Sequence, residues 1–316
     1  MNPLPLPGGG RQRGVALITA LLVVSLATVA AVAMATRLHV DVRRTGNLLH
    51  GEQAYAYALA AESWAEVILG RDANDSKIDT LAEDWATALP PIAVEGGFVS
   101  GRIEDLQGRF NVNNLVGADG KPSKPDLEYF KRLLGLLDVE PGLATALLDW
   151  IDADIDTTFP DGAEDDIYLL ETPPYRAANR PLVSTSELRL VKGYSAEIIA
   201  LLEPYITALP EPTALNVNTA SPLLLQALHA ELAPTDAEQI LEARGEEGFA
   251  EQGSFLALDA LAGLQLDVDV DIKSDWFRVL TDVRIGRGQA RLESRLHRSD
   301  KALTVAYRVR TRRLLP

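Results

Sequence analysis

Cysteine is absent from the 316 residues, which excludes disulfides, thiol catalysis and thiolate metal centres. The histidines, His39, His50, His229 and His297, are scattered, so an imidazole zinc cluster has no support. Basic residues are outnumbered, 30 Lys and Arg against 45 Asp and Glu, and a formal net charge of −15 argues against a nucleic-acid-binding surface. No serine stands in a nucleophile-elbow motif, and the paired carboxylates lie in a crowded polar stretch with no sign of a cleft that would raise one pKa for acid–base work. An enzyme is therefore not expected. Proline is missing between Pro7 and Pro90, and nothing in that stretch forbids one long helix.

That stretch opens with Arg11, Arg13 and Gly14, followed by an uncharged apolar run from Val15 to Thr36. About 22 residues suffice to cross a hydrocarbon core as a helix. Beyond it, apolar positions at Leu38, Val42, Leu49, Ala56, Ala60, Trp64 and Val67 continue a helical period, giving an expected helix of about 55 residues. A cleaved secretory signal, a plain signal anchor and a prepilin-type signal compete for this segment. Arg13-Gly14-Val15 fits the last, in which a basic leader ending in Gly is cut on the cytoplasmic side and the apolar segment stays in the mature protein. Arg37, Arg43 and Arg44 follow the run closely, so charge alone does not orient it.

Period-two alternation predicts strands at Gly97–Leu106, Trp276–Ile285, Ala290–His297 and Leu303–Val309, with Phe277, Val279, Val283 and Ile285 on one face. Leu303, Val305, Tyr307 and Val309 are expected to share a face in the last strand. The expected fold class is α+β, a long N-terminal helix packed on an antiparallel sheet, with a mostly helical insertion at 111–266. Within the insertion, Phe110-Asn111-Val112-Asn113-Asn114 echoes Leu215-Asn216-Val217-Asn218-Thr219, which suggests two related units. The second, with Ser221-Pro222 capping a helix, resembles a SAM-like helix-hairpin-helix unit. Its hairpin Ala230-Glu231-Leu232-Ala233-Pro234 carries an acid and no glycine, unlike those that bind nucleic-acid phosphates.

Charge is uneven. From Arg278 the chain turns basic, through Arg284, Arg287, Arg291, Arg295, Arg298, Arg308, Arg310, Arg312 and Arg313, which reads as solvated surface or as a match for neighbouring subunits. Between Arg132 and Arg176 there is no Lys or Arg, while acids recur. There Asp152, Asp154 and Asp156 have the alternating spacing that can surround a hard cation, with Asp149, Glu164 and Asp165 as further oxygen donors. Thr157 and Ala163 stand at the sixth and twelfth positions, so this is not an EF-hand. A solvated acidic loop and a calcium site both fit the spacing.

Arg13-Gly14-Val15-Ala16-Leu17-Ile18-Thr19, Asp149-Trp150-Ile151-Asp152-Ala153-Asp154, Gly162-Ala163-Glu164-Asp165, Pro173-Pro174-Tyr175-Arg176 and Ser186-Glu187-Leu188-Arg189 together resemble the minor pseudopilin K family of type II secretion. The resemblance spans nearly the whole chain. It implies a pilin-like fold divided into a leader (1–14), a membrane-spanning half-helix (15–36), the rest of that helix with a first strand (37–110), the insertion (111–266) and C-terminal strands (267–316). It further implies cleavage between Gly14 and Val15 by prepilin peptidase, methylation of Val15, and a single-pass inner-membrane protein whose C-terminal domain is periplasmic. Implied partners are minor pseudopilins I and J, the pseudopilus and the secretin, with a place at the fibre tip; a two-calcium site in the insertion is implied as well. Most pilins carry Glu at the fifth mature position, where this chain has Thr19, an absence usual in the K family. A calcium-dependent periplasmic binding module on a simple signal anchor is the alternative.

Overall fold

The computed structural model describes residues 12–266, 268–299 and 302–311. Most of the expected leader, and Arg312 and Arg313, lie outside the described residues. Helix α1 (Gln12–Asp75) runs for 64 residues, about 96 Å at 1.5 Å per residue. The helix has already begun at Gln12 and passes through the Gly14–Val15 bond without a break.

The chain then forms β1 (Leu89–Val94) and β2 (Gly97–Asp105), leaves the sheet for a long insertion, and returns as β7 (Trp276–Ile285), β8 (Gly288–Ser299) and β9 (Ala302–Thr311). The sheet order is β1-β2-β7-β8-β9, antiparallel throughout. Strand β1 was not expected from the sequence. Pro90 and Pro91 disguise it, and it forms at the sheet edge, where missing amide donors cost least.

The C-terminal half of α1 lies across the sheet, but not on the face the apolar period marked. Ala54, Ala58, Glu62, Ala65 and Leu69 are buried, whereas Leu38, Val42, Leu49, Ala56, Ala60, Trp64 and Val67 are exposed. Small alanines let the sheet approach the helix axis, and the bulkier apolar side chains are left outward. The contact core joins Ala54 and Ala58 to Val99, Val283, Ile285, Ala290 and Leu292, and Ala65 and Leu69 to Trp85, Phe277, Val279 and Leu296. Gly288 belongs to this fit, because a Cβ there would overlap the His50 backbone.

Strand β9 also departs from simple alternation. Arg295 pairs with Tyr307 and Leu296 with Val305, so Ala306 is the extra residue of a bulge. The bulge switches faces: Leu303 and Val305 pack on the helix side, whereas Tyr307 stacks under Arg295 on the other. Past it, Arg308 and Arg310 face α1, with Arg308 ion-paired to buried Glu62 and Arg310 over the Tyr55 ring. Much of the basic C-terminal run is thus spent inside the molecule. Arg278 bonds Glu104, Arg291 bonds Asp282, and Arg298 bonds Asp72 and Asp79.

The insertion between β2 and β7 contains β3 (Phe110–Asn111), α2 (Lys124–Leu136), α3 (Leu143–Ile151), α4 (Asp165–Tyr168), α5 (Ala196–Leu202), β4 (Ile206–Thr207), β5 (Leu215–Asn216), α6 (Pro222–Gln226), α7 (Pro234–Arg244), α8 (Gln252–Leu256) and β6 (Val270–Asp271). Its core runs continuously from Phe110 to Val270, around Tyr129, Phe130, Leu147 and Leu224. The sequence echo is a structural one. β3 pairs in parallel with β4 and β5 with β6, and each is followed by an asparagine clamp. Asn113 Oδ1 accepts from Leu182 N (2.8 Å) and its Nδ2 donates to Leu182 O (2.9 Å). Asn218 does the same with Phe249 N (2.7 Å) and Phe249 O (3.1 Å). Ser221 caps α6, as its position before Pro222 indicates.

The pairing of Glu62 with Arg308 predicts an asymmetry. Arg308→Ala strands a carboxylate that is 3% exposed and is expected to cost roughly 3 kcal/mol. Glu62→Gln keeps a partner for the Ser294 hydroxyl and frees a half-exposed guanidinium to reach water, so about 1 kcal/mol is expected. Denaturant melts of the full chain in detergent measure both; equal losses would contradict the burial argument.

Candidate metal centre and the family of the chain

Helix α3 is buried along almost its whole length and ends where Asp152 turns extended as its C-cap. The next residues, up to Gly162, contain no regular element, and α4 begins only at Asp165. Gly162 is required for close approach: a Cβ would overlap the Asp149 carboxylate and the Thr158 carbonyl. The loop therefore folds back onto the end of α3.

This closure brings Asp152, Asp154 and Glu164 together, each with a carboxylate oxygen within 4.8 Å of the others. Asp152 and Glu164 are buried, and Asp154 is exposed. Asp149, also buried, borders the group; its Oδ2 accepts from Thr158 N (3.0 Å) and its Oδ1 has no partner. Asp156 lies outside it, exposed, with its backbone N donating to Asp154 Oδ1 (2.8 Å). Asp165 also lies outside, accepting from Ala177 N (3.0 Å) and standing 3.4 Å from Arg176.

Asn179 is a further oxygen donor that charge patterning did not reveal. It takes a positive φ of 45°, which asparagine tolerates, and ties the loop through Nδ2 to Asp154 O (2.9 Å) and through its backbone N to Trp150 O (3.0 Å). Its Oδ1 is buried without a hydrogen bond. Behind the group, Trp150 packs edge-on against Tyr168, and Tyr168 stacks on Tyr175. The Pro-Pro-Tyr-Arg motif thus supplies one wall ring and the Asp165 counter-charge. Glu187 of the Ser-Glu-Leu-Arg motif serves locally, in a capping box with Ser184.

The electrostatics are those of a site short of positive charge. Asp149 Oδ1, Asp152 Oδ1, both Glu164 oxygens and Asn179 Oδ1 are buried without donors. Burial first, and then repulsion from Asp154 and Asp149, pushes Asp152 up to about 7. Burial and the charges of Asp149, Asp152, Asp154 and Asp165 push Glu164 up to about 7 also. An all-oxygen set with orphaned buried acceptors fits a hard cation of calcium type. Such an ion would supply the missing charge and join the end of α3 to the start of α4.

At the other end of the chain, the apolar part of α1 is exposed throughout, and it is long enough to cross a membrane. Its hydroxyls are satisfied within the helix: Thr19 Oγ1 lies 3.0 Å from the Val15 and Ala16 carbonyls, and Ser25, Thr28 and Thr36 bond back in the same way. A long, half-bare N-terminal helix on an antiparallel sheet defines a pilin-like subunit with a candidate membrane anchor.

Comparisons give the particular family. Residues 108–211 and 215–273 match the family described as Type II secretion system (T2SS), protein K. The chain is 41% identical over 300 residues to "Type II secretion system protein K" of Pseudomonas aeruginosa, covering 91% of this chain and 89% of the relative. It is 36% identical over 312 residues to the protein of the same description from Aeromonas hydrophila, covering 92% and 94%. Among solved structures, the GspK-GspI-GspJ complex from the enterotoxigenic Escherichia coli Type 2 Secretion System contains a chain that superposes with a TM-score of 0.76. That chain is 26% identical, and the match covers 85% of this chain and 100% of the other. The chain belongs to the type II secretion system protein K family, the minor pseudopilins.

The raised carboxyls set a pH dependence. Folded Asp152 and Glu164 hold their protons to about pH 7, whereas the unfolded chain releases them near 3.8 and 4.5. In chelator, their contribution to stability is complete below about pH 4 and is lost as pH rises to about 7. Glu164→Gln, neutral at every pH, should melt above the wild type beyond pH 7 and lose that advantage by about pH 4. Parallel melting curves at both pH values would refute the assignment.

Proposed function

We propose that the chain is the minor pseudopilin at the tip of the type II secretion pseudopilus. Prepilin peptidase cuts Gly14–Val15 and methylates the new amine. The segment Val15–Thr36 holds the protein in the inner membrane, with the sheet and insertion in the periplasm. There it assembles with minor pseudopilins I and J and caps and initiates the fibre. In that position it meets cargo or the outer-membrane secretin and supports export of folded proteins across the outer membrane. The role is structural and not enzymatic, and no nucleic acid is involved.

The observation that carries this reading is Thr19 on the bare face of a pilin-like helix. Its hydroxyl is turned back onto the helix backbone and it carries no charge, so it offers nothing to the terminal ammonium of a neighbour. A subunit at the top of a fibre needs no such group. The insertion between β2 and β7 adds bulk at the end of the molecule away from the anchor, which hinders addition of another subunit above it. The match to a chain solved as GspK with GspI and GspJ supports the choice of partners.

Calcium has a structural role in this reading, held by Asp152, Asp154 and Glu164 with Asp149 adjacent. The decisive measurement is N-terminal sequencing and mass of the protein extracted from membranes that contain prepilin peptidase. Methylated Val15 is the expected terminus, and Gly14→Val is expected to leave the leader uncut. A mature start at Met1 or beyond Thr36 would sink the pseudopilin mechanism.

A further inference from the structure

A second set of carboxylates converges at the far end of α1, used by neither the anchor nor the acidic loop. Asp72 in the last turn of α1, and Asp79 and Glu83 in the connection that follows, each place an oxygen within 4.8 Å of the others. One guanidinium faces them: Arg298 of β8 lies 3.0 Å from Asp72 Oδ2 and is ion-paired with Asp79 Oδ2. Three carboxylates against one guanidinium leave this quartet short of positive charge.

Each carboxylate commits one oxygen to the protein and keeps the other bare. Asp72 Oδ2 takes Arg298, and Asp79 Oδ2 takes Arg298 and Ser274 N (2.7 Å). Glu83 Oε2 takes Thr80 N and Trp85 Nε1, both at 2.8 Å. No hydrogen bond among the described residues reaches Asp72 Oδ1, Asp79 Oδ1 or Glu83 Oε1. For Asp79 this is costly, because the residue is 1% exposed and Oδ1 is buried without a partner. Nor is it free to swing outward, since its backbone N is bonded to Ile272 O (2.9 Å) and its carbonyl to Asn216 Nδ2 (3.2 Å).

The donors are all oxygens, which selects a hard cation over zinc or copper. Oxygens up to 4.8 Å apart suit opposite sides of an ion bound at about 2.4 Å, a calcium distance, and are wide for magnesium. We infer that Asp72, Asp79 and Glu83 form a second divalent-cation site, of calcium type, separate from the acidic loop. The ion pins the end of α1 to the connection leading into β1 and, through the shared Arg298 partner, to β8. Ser274, bonded to Asp79, lies two residues before β7, so the site stiffens the point at which the insertion returns to the sheet. The competing account makes Arg298 the sole counter-charge, with water at Asp79 Oδ1.

Terbium separates the two accounts, because its luminescence is sensitised by a nearby indole and Trp85 is bonded to Glu83. The experiment uses the full chain in detergent with the acidic loop disabled by Asp152→Asn and Glu164→Gln. A saturable terbium signal that calcium displaces is expected, along with a calcium-dependent rise in melting temperature. Adding Asp79→Asn or Asp72→Asn should weaken terbium binding roughly tenfold or more. Asp72→Asn disturbs fewer backbone contacts and keeps the test valid if the Asp79 variant fails to fold. The proposal is overturned if the loop-disabled protein shows neither signal nor calcium stabilisation, or if both added substitutions leave the terbium affinity unchanged.

Discussion

A buried carboxylate governs how the two halves of the molecule meet. Asp105 ends β2, where the chain leaves the sheet, and is almost wholly buried. Its Oδ1 accepts from Gln107 N (2.7 Å); its Oδ2 accepts from Asn216 Nδ2 (3.0 Å), Ser274 Oγ (2.8 Å) and the Thr219 hydroxyl. Burial raises its pKa, and these donors oppose the rise. Around it the exit and the return are laced together, with Leu106 N bonded to Trp276 O (3.0 Å) and Gln107 Oε1 accepting from Asp275 N (2.7 Å). A long insertion can leave and rejoin a sheet without disturbing it when the two strand ends are fastened in this way, and a satisfied polar network fixes one geometry where apolar packing would allow several.

The same logic of charge divides the molecule. On the sheet, carboxylates are answered by arginine. Glu104 receives Arg102, Arg109 and Arg278, and Glu62 receives Arg308. Together with Arg291 on Asp282 and Arg298 on Asp72 and Asp79, these pairs hold Arg278, Arg291, Arg298 and Arg308 of the basic C-terminal run within the molecule, while Arg284 and Arg287 stay exposed. In the acidic loop Arg176 serves Asp165, and the buried oxygens Asp152 Oδ1 and both of Glu164 are left without a donor. The end of α1 lies between these cases, with one guanidinium for three carboxylates. Charge balance therefore separates carboxylates answered by arginine from those left short of positive charge.

Helix α1 has two environments along one rod. Its first half presents apolar side chains all round and is suited to lipid and to other helices. Its second half buries alanines against the sheet and turns Trp64 and Val67 outward. The exposed apolar face of the second half is continuous with the candidate membrane span, and neighbouring helices can cover it.

The sequence by itself determined the elements with strong local signals. The proline-free apolar run gives the long helix, strict alternation gives β2, β7 and β8, and the paired Asn-Val-Asn motifs give the repeat, whose asparagines hold equivalent backbone clamps. The clustering of acids between cationic gaps marked the metal candidate. Only the tertiary structure decided which face of α1 packs, because close approach to a sheet rewards alanine over leucine. It also decided that the bulge at Ala306 sends Arg308 to Glu62, and that Gly162 closes the loop so that Asp152, Asp154 and Glu164 meet while Asp156 and Asp165 turn away. Asn179 and the Asp72–Asp79–Glu83 group stayed hidden for the same reason: convergence in space depends on chain reversals, and residue spacing carries no record of them.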